Sequence, residues 1–310
     1  MQLRYGMNPH QSASWSPVGD RAPFAVVSGS PSYINILDAL AGWQLVREAL
    51  QAFGLPAAAS FKHVSPAGAA VAGPVDSVMR STFKVDEVGP VTSAYVRARD
   101  ADPKSSYGDF VAVSHPVDAE LAGLLKRLVC DGIIAPGYDE GVVGVLAAKK
   151  RGSFLVLEAD ATYEPPATET REVYGVRLTQ ERDAAPLDLN GDLLLGSIVA
   201  RYTQSNTVVM VKDGMAIGIG AGQQSRVDCT RLAGEKASLW WSRRSSEPLT
   251  GVSMVSDGAL PFADNVEEAA RHGVEWIAEP GGSIRSAEVQ AACDAAGISL
   301  TQTGVRLFRH

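Results

Sequence analysis

Between Phe110 and Leu157 the chain alternates short apolar runs with segments of helical spacing, a pattern that few folds accommodate. Phe110 to Ser114, Gly132 to Pro136 and Phe154 to Leu157 each read as a strand, and Asp118 to Leu128 and Val142 to Lys150 read as the helices between them. Strands separated by helices of this length build parallel βαβ units, so the spacing predicts an α/β fold. Upstream, Phe24 to Val27 is a candidate strand. Ile36, Leu40, Trp43, Val46, Leu50 and Phe53 recur at helical spacing and define a helix closed by Gly54 and Pro56.

From Glu158 to Asp188 the composition turns polar, with Pro165-Pro166 and a hairpin-like Val173 to Leu178, which places a boundary between a first half, 1–160, and a second, 161–310. The second half restarts the same logic. Leu193 to Tyr202 is helical, and Thr207 to Lys212 joins Met215 to Gly220 through Asp213-Gly214, the signal of a tight hairpin. Gln223 to Arg226 enters another helix, and Trp240 to Ser246 looks like a linker. Strands at Val274 to Ala278 and Ile298 to Thr301 flank a helix at Ala287 to Ala296, and a shorter helix spans Val266 to Arg271. The polar opening, Arg4 to Gln11, reads as a frayed terminus, and a charged aromatic end such as Arg306 to His310 is ordinarily solvated.

The formal net charge of -7 comes with no long basic run, which argues against nucleic acid as a partner. Cys130, Cys229 and Cys293 are odd in number and widely spaced, as in a reduced cytoplasmic protein without a disulfide framework. No apolar run reaches membrane-spanning length and the opening is not a signal peptide, so a soluble cytoplasmic protein is expected.

The stretch Ser60 to Gly68 places a Lys62-His63 pair after a short apolar run. Ser65 offers an N-cap hydroxyl and Pro66 a first helical residue, which predicts a strand turning into a helix around Ala67 to Val71. On that reading the pair lies at a strand's carboxyl end, where ligands bind in open α/β sheets and a helix N-terminus favours an anion. Gly218, Gly220 and Gly222 permit close backbone approach, but no GxGxxG between strand and helix is present.

Read together, several strings resemble the formyltransferase region of the bifunctional purine-biosynthesis protein, which formylates 5-aminoimidazole-4-carboxamide ribonucleotide (AICAR) with 10-formyltetrahydrofolate. They are Leu3 to Gln11, Phe61 to Gly68, Ser105 to Phe110, Asp131 to Tyr138, Tyr202 to Asn206, Gly218 to Arg226 and Arg306 to His310, in family order over nearly the whole chain. The resemblance implies two cytidine-deaminase-like α/β halves, although three scattered cysteines without Cys-x-x-Cys or His-x-Glu cannot supply the deaminases' zinc, so no catalytic metal is expected. It also implies a homodimer with interface active sites. The cyclohydrolase domain that precedes this region in the bifunctional protein is missing from the chain, which leaves ring closure to a separate cyclohydrolase.

Formylating an aromatic amine requires removal of a proton from a poor nucleophile and stabilisation of an oxyanion. Histidine suits the first task and a lysine ammonium the second. By resemblance, His63 is the base, Lys62 the transition-state stabiliser and Asn206 a further polar contact to the reacting groups. Arg4, Tyr5, Gly108, Asp131, Arg226, Ala259, Arg306 and His310 fall at nucleotide positions, arginine forks being suited to phosphate. Val227, Asp264, Ser283 and Ile284 match folate-contacting positions. Without the resemblance, Asp131 only caps a turn, Arg226 only pairs with an acid, and the glycines near Gly220 only form a bend.

The chain departs from the family pattern in places. Ser65 and Ala67 replace Asn and Cys, Ala259-Leu260 replaces an aromatic pair, and the segment from Trp241 to Ser256 is shortened. Two alternatives follow: a paralogue formylating a related amine in specialised nucleoside metabolism, and a catalytically silent nucleotide-binding subunit.

Overall fold

The computed structural model describes residues 1–310. The chain runs β1 (Phe24–Ser28), α1 (Tyr33–Phe53), β2 (Ala57–Lys62), β3 (Ser65–Val71), α2 (Ser77–Phe83), α3 (Pro90–Ala101), β4 (Asp109–Val113), α4 (Ala119–Arg127), β5 (Cys130–Ala135), α5 (Val142–Ala147) and β6 (Leu155–Ala159). A separate hairpin follows, β7 (Thr168–Val173) and β8 (Val176–Glu181). Then come α6 (Gly191–Arg201), β9 (Thr207–Lys212), β10 (Met215–Ala221), α7 (Arg226–Ser242), β11 (Val252–Ser256), α8 (Asp264–Ala270), β12 (Val274–Glu279), α9 (Ser286–Ala296) and β13 (Ser299–Gln302).

Local signals set many of these ends. Ser32 and Asn35 form a reciprocal capping box at the start of α1, and Gly54, at φ 64°, closes it in the left-handed region. Asp118 caps α4 through the Leu121 N–H.

The expected helix after Lys62-His63 is absent. Ala67 to Val71 lies in β3, which folds back antiparallel on β2 with Lys62 opposite Ser65. Ser-Pro opens a strand as readily as a helix, because the first residue of a strand tolerates the missing N–H. Trp240 to Ser242 likewise ends α7 instead of forming a linker, since the Trp240 ring is buried and its Nε1 donates to Asp100 Oδ2 at 3.1 Å.

Eleven strands form one mixed sheet in the order β1-β6-β5-β4-β2-β3-β10-β9-β11-β12-β13. Only β4-β5-β6 and β11-β12-β13 are parallel, so the expected parallel units account for the flanks while antiparallel hairpins fill the centre. Reading outward from the β3–β10 junction, β2, β4, β5, β6 mirror β9, β11, β12, β13, each set preceded by one helix and interleaved with others. The junction is antiparallel, with Ala70 opposite Met215 and the Val71 N–H donating to Gly214 O at 3.1 Å.

Alternate strand residues feed two apolar layers. Ala58, Ala70, Val111, Ile133, Met210 and Met254 join α2–α5 and α7–α9 in a cluster of 41 buried residues. Ala57, Ala59, Phe61, Ile134 and Val209 join α1 and α6 in another of 31. No helix is long and apolar enough to cross a membrane.

In each repeat a helix that follows the hairpin, α3 in the first and α7 in the second, rests on a glycine six residues beyond the hairpin lysine. A Cβ on Gly68 would lie 2.1 Å from Ala98 O, and one on Gly218 would lie 2.0 Å from Ala233 O. Both contacts are with helix backbone and cannot yield without moving α3 or α7. Gly68→Ala and Gly218→Ala are each expected to destabilise the fold by about 2 kcal/mol or more, measured by chemical denaturation. Unchanged midpoints would contradict this packing.

Candidate active site

The two central hairpins have the same form. Lys62-His63-Val64-Ser65 and Lys212-Asp213-Gly214-Met215 both turn through two residues of positive φ, 54° and 62° in the first and 52° and 73° in the second. Asp-Gly is the ordinary choice for such a turn, whereas a side chain with a β-branch costs about 1–2 kcal/mol there. Strain of this kind gathers where geometry serves function. The turn leaves His63 exposed, with no hydrogen-bond partner for its imidazole, while Lys62 Nζ donates to Tyr107 O.

A buried network lies two residues beyond Tyr107, at Asp109. Asp109, fully buried, pairs with Arg99 at 2.5 Å and accepts from Ser60 Oγ at 2.7 Å and Tyr95 Oη at 3.2 Å. Burial pushes the Asp109 carboxyl up, and Arg99 opposes it. Gly108, at φ 78°, follows Tyr107, and a Cβ there would sit 3.7 Å from Lys62 Nζ. Asp131 at the start of β5 pairs with Lys150 and caps no turn.

Asp38 on α1, unnoticed in the sequence, lies under the turn and accepts the Val64 N–H at 2.6 Å. Burial raises its carboxyl to about 6, partly offset by the Val64 N–H and His63. The opening strand of residues is docked, not frayed: Leu3 is buried, Arg4 N–H donates to Pro31 O at 3.0 Å, and Tyr33 N–H donates to Tyr5 O at 3.1 Å. Arg4 stacks on Tyr5, 4.7 Å from the ring centroid, beside the start of α1.

On the second repeat, Arg226 opens α7 and pairs with fully buried Asp257, donating also to Ser256 Oγ at 3.0 Å and Asn206 Oδ1 at 2.6 Å. Asn206 Nδ2 donates to Gln223 O and Gln224 O at 3.0 Å each, so its amide holds the 222–226 loop and aims Arg226. Ser205 Oγ donates to Asp257 as well. The C-terminal segment is part of this group. Leu307 is buried and donates its N–H to Asp257 O at 2.9 Å, and Ser205 N–H donates to Arg309 O at 2.9 Å. Phe308 lies 5.9 Å from the Arg226 guanidinium and 4.9 Å from that of Arg306. A cavity of about 560 Å³ opens here, lined by Arg226, Ala259, Gly281, Arg306 and Phe308 among others.

The remaining expected residues do not line this cavity. Val227 is half-buried beside Arg226, His310 is exposed with its ring 6.2 Å from Phe308, and Asp264 is exposed at the start of α8. Ser283 is half-buried and Ile284 fully exposed in the turn whose Arg285 packs 5.0 Å from the Phe262 ring.

The antiparallel centre of the sheet puts both groups on one edge, but in opposite senses. Lys62 ends β2, so the pair lies at that strand's carboxyl end as expected, but Phe61 faces Phe110 in antiparallel register and the turn therefore meets the amino ends of β4 and β5. Val208 faces Ser256, so Asn206 meets the carboxyl ends of β11 to β13. Gln204 N–H reaches Ser65 Oγ at 3.5 Å, where the two repeats meet at the centre of the sheet. The helix N-terminus imagined beside Lys62-His63 does not exist, and cationic arginines stand in the second group instead.

Burial pushes the thiols of Cys229 and Cys293 up to about 11, and that of Cys130 upward too, so none is a poised nucleophile. No three His, Cys, Asp or Glu side chains are grouped to hold a metal ion.

Fold and site define a two-repeat α/β protein that gathers a lysine, a histidine and several arginines along one sheet edge. The family model described as AICARFT/IMPCHase bienzyme matches residues 1–236, and the chain belongs to that family. Bifunctional purine biosynthesis protein PurH from Cereibacter sphaeroides is 37% identical over 99% of the chain, and that from Roseobacter denitrificans is 36% identical over the same share. The chain spans 59% of the length of these relatives.

Arg226 and Asp257 are 7% and 0% exposed, so removing one charge strands the other. Arg226→Ala is expected to cost about 3 kcal/mol in chemical denaturation, against less than about 0.5 kcal/mol for the exposed Arg306→Ala. Equal midpoints for the two variants would contradict the pairing.

Proposed function

We propose that this chain transfers a formyl group from 10-formyltetrahydrofolate to the 5-amino group of AICAR: the amine attacks the formyl carbon and loses a proton, and the bond from that carbon to N10 then breaks as N10 takes up a proton, releasing tetrahydrofolate. Membership of the family is the observation that carries the reading. Its geometric support is the strained turn that presents an unpartnered histidine beside a lysine ammonium. His63 takes the proton from the attacking amine, and Lys62 offers positive charge to the formyl oxygen as the carbonyl becomes tetrahedral. Arg306 and Arg4 form no ion pair and are cations free for phosphate, whereas Arg226 gives its terminal nitrogens to Asp257, Ser256 and Asn206 and lines the cavity as a fixed charge.

The two repeats, residues 1–160 and 161–310, are read as cytidine-deaminase-like halves of a cytoplasmic enzyme. The sheet order argues for a homodimer. Asp131 at β5 and Ala259 after β11 are six strand spacings apart, roughly 29 Å, too far for one nucleotide to bridge within a protomer. A second copy brings the first-repeat group of one chain to the second-repeat group of the other. Ala259, small where the family has an aromatic residue, borders the cavity and favours a second reading, in which a bulkier related amine is the acceptor.

Incubation with AICAR and 10-formyltetrahydrofolate is expected to release tetrahydrofolate, with His63→Ala slower by about 10²- to 10⁴-fold. Mixing His63→Ala with Arg306→Ala under subunit exchange is expected to restore about one quarter of wild-type activity, because half the dimers are mixed and each holds one intact site. No release by the wild type would contradict the reaction, and no recovery on mixing would contradict the shared site.

A further inference from the structure

The two repeats carry the same anchor under their hairpins, and only one of those hairpins holds the proposed base. Asp38 and Gly42 on α1 correspond to Asp192 and Gly196 on α6, in the strings Asp-Ala-Leu-Ala-Gly and Asp-Leu-Leu-Leu-Gly. In the second repeat the Asp192 carboxylate accepts from the Asp213 N–H at 2.9 Å and the Gly214 N–H at 2.8 Å. In the first, Asp38 accepts from the Val64 N–H at 2.6 Å. A carboxylate binding turn N–H groups favours the left-handed conformation that Asp-Gly adopts unaided and His-Val resists.

We propose that Asp38 is the positioning residue of the site, holding His63 and Val64 in the left-handed turn and lending its negative charge to the imidazole when that ring takes up a proton. The proposal rests on the reading of His63 as proton acceptor. It separates Asp38 from Asp192, which performs the same holding task at the opposite sheet edge where no site lies. The Asp38 carboxyl is only 6% exposed, and the Val64 N–H and then His63 favour its charged form against burial. Around it stand His63 on the turn and Asp131 on β5, the last paired with Lys150. Lys62 is drawn toward Tyr107 O, so His63 is the basic group whose attraction acts on Asp38, while Asp131 acts against it.

The folded Asp38 carboxyl, near 6, lies above its ordinary 3.8. The stability this carboxyl contributes in its protonated form is therefore present below about pH 4 and lost as pH rises through about 6. An asparagine never ionises and does not lose it.

The test compares Asp38→Asn, Asp38→Ser and Asp192→Asn with the wild-type chain. In Asp38→Asn, kcat is expected to fall about 10- to 100-fold at pH 8 with KM within about threefold, and the deficit should shrink toward pH 5, where the wild-type carboxyl is itself protonated. The same variant should melt higher than wild type above pH 6, the gap closing by pH 4. Asp38→Ser should lose protection of the Val64 amide in hydrogen exchange, and Asp192→Asn should leave kcat unchanged at every pH. A deficit in Asp38→Asn that does not vary with pH, or a lower melting temperature at pH 8, overturns the proposal. Should the wild type form no formylated product, the melting and exchange results still decide the anchor and its charge, and the failure then belongs to the assigned reaction.

Discussion

The hydrogen bond from the Val64 N–H to the Asp38 carboxylate is the interaction on which the proposed site depends. It secures a two-residue turn whose side chains oppose the conformation they adopt. Strain of about 1–2 kcal/mol per residue is small against the packing of two apolar layers, yet large enough to select an alternative if the anchor were lost. What the molecule gains is the direction of His63, which leaves the sheet edge with its imidazole unengaged.

The repeat explains why such a turn stands where it does. Each half folds a hairpin onto the centre of the sheet, rests its following helix on a glycine and anchors its turn from the helix before. The antiparallel β3–β10 junction sets the halves in opposite senses, so the hairpin turn of one half shares an edge with the strand starts of the other. That edge therefore receives the Lys62-His63 turn from the first repeat and the Arg226–Asp257 pair from the second. The C-terminal segment locks onto the same pair through the Leu307 N–H, which donates to Asp257 O.

Much of this was legible in sequence where local chemistry decides. The strands from Phe110 to Leu157, the Asp213-Gly214 hairpin and the closure of α1 at Gly54 follow from spacing and turn residues alone. The Lys62 hairpin was not legible, because His-Val carries no turn signal and Ser65-Pro66 followed by small residues imitates a helix start. Asp38 was hidden for a related reason: an acid inside an apolar helix acquires meaning only when the turn above it is known. Both termini were misjudged because Leu3 and Leu307 are single apolar residues, each buried by tertiary contact that no local pattern records.

If the first turn is strained for the sake of His63, giving it the residues of the second should relax the fold and silence the site. The most direct measurement is the melting temperature and formyl-transfer rate of one variant carrying His63→Asp together with Val64→Gly. The account expects a higher melting temperature with transfer reduced to background. A variant that melts lower than wild type, or that still transfers formyl at a comparable rate, would contradict it.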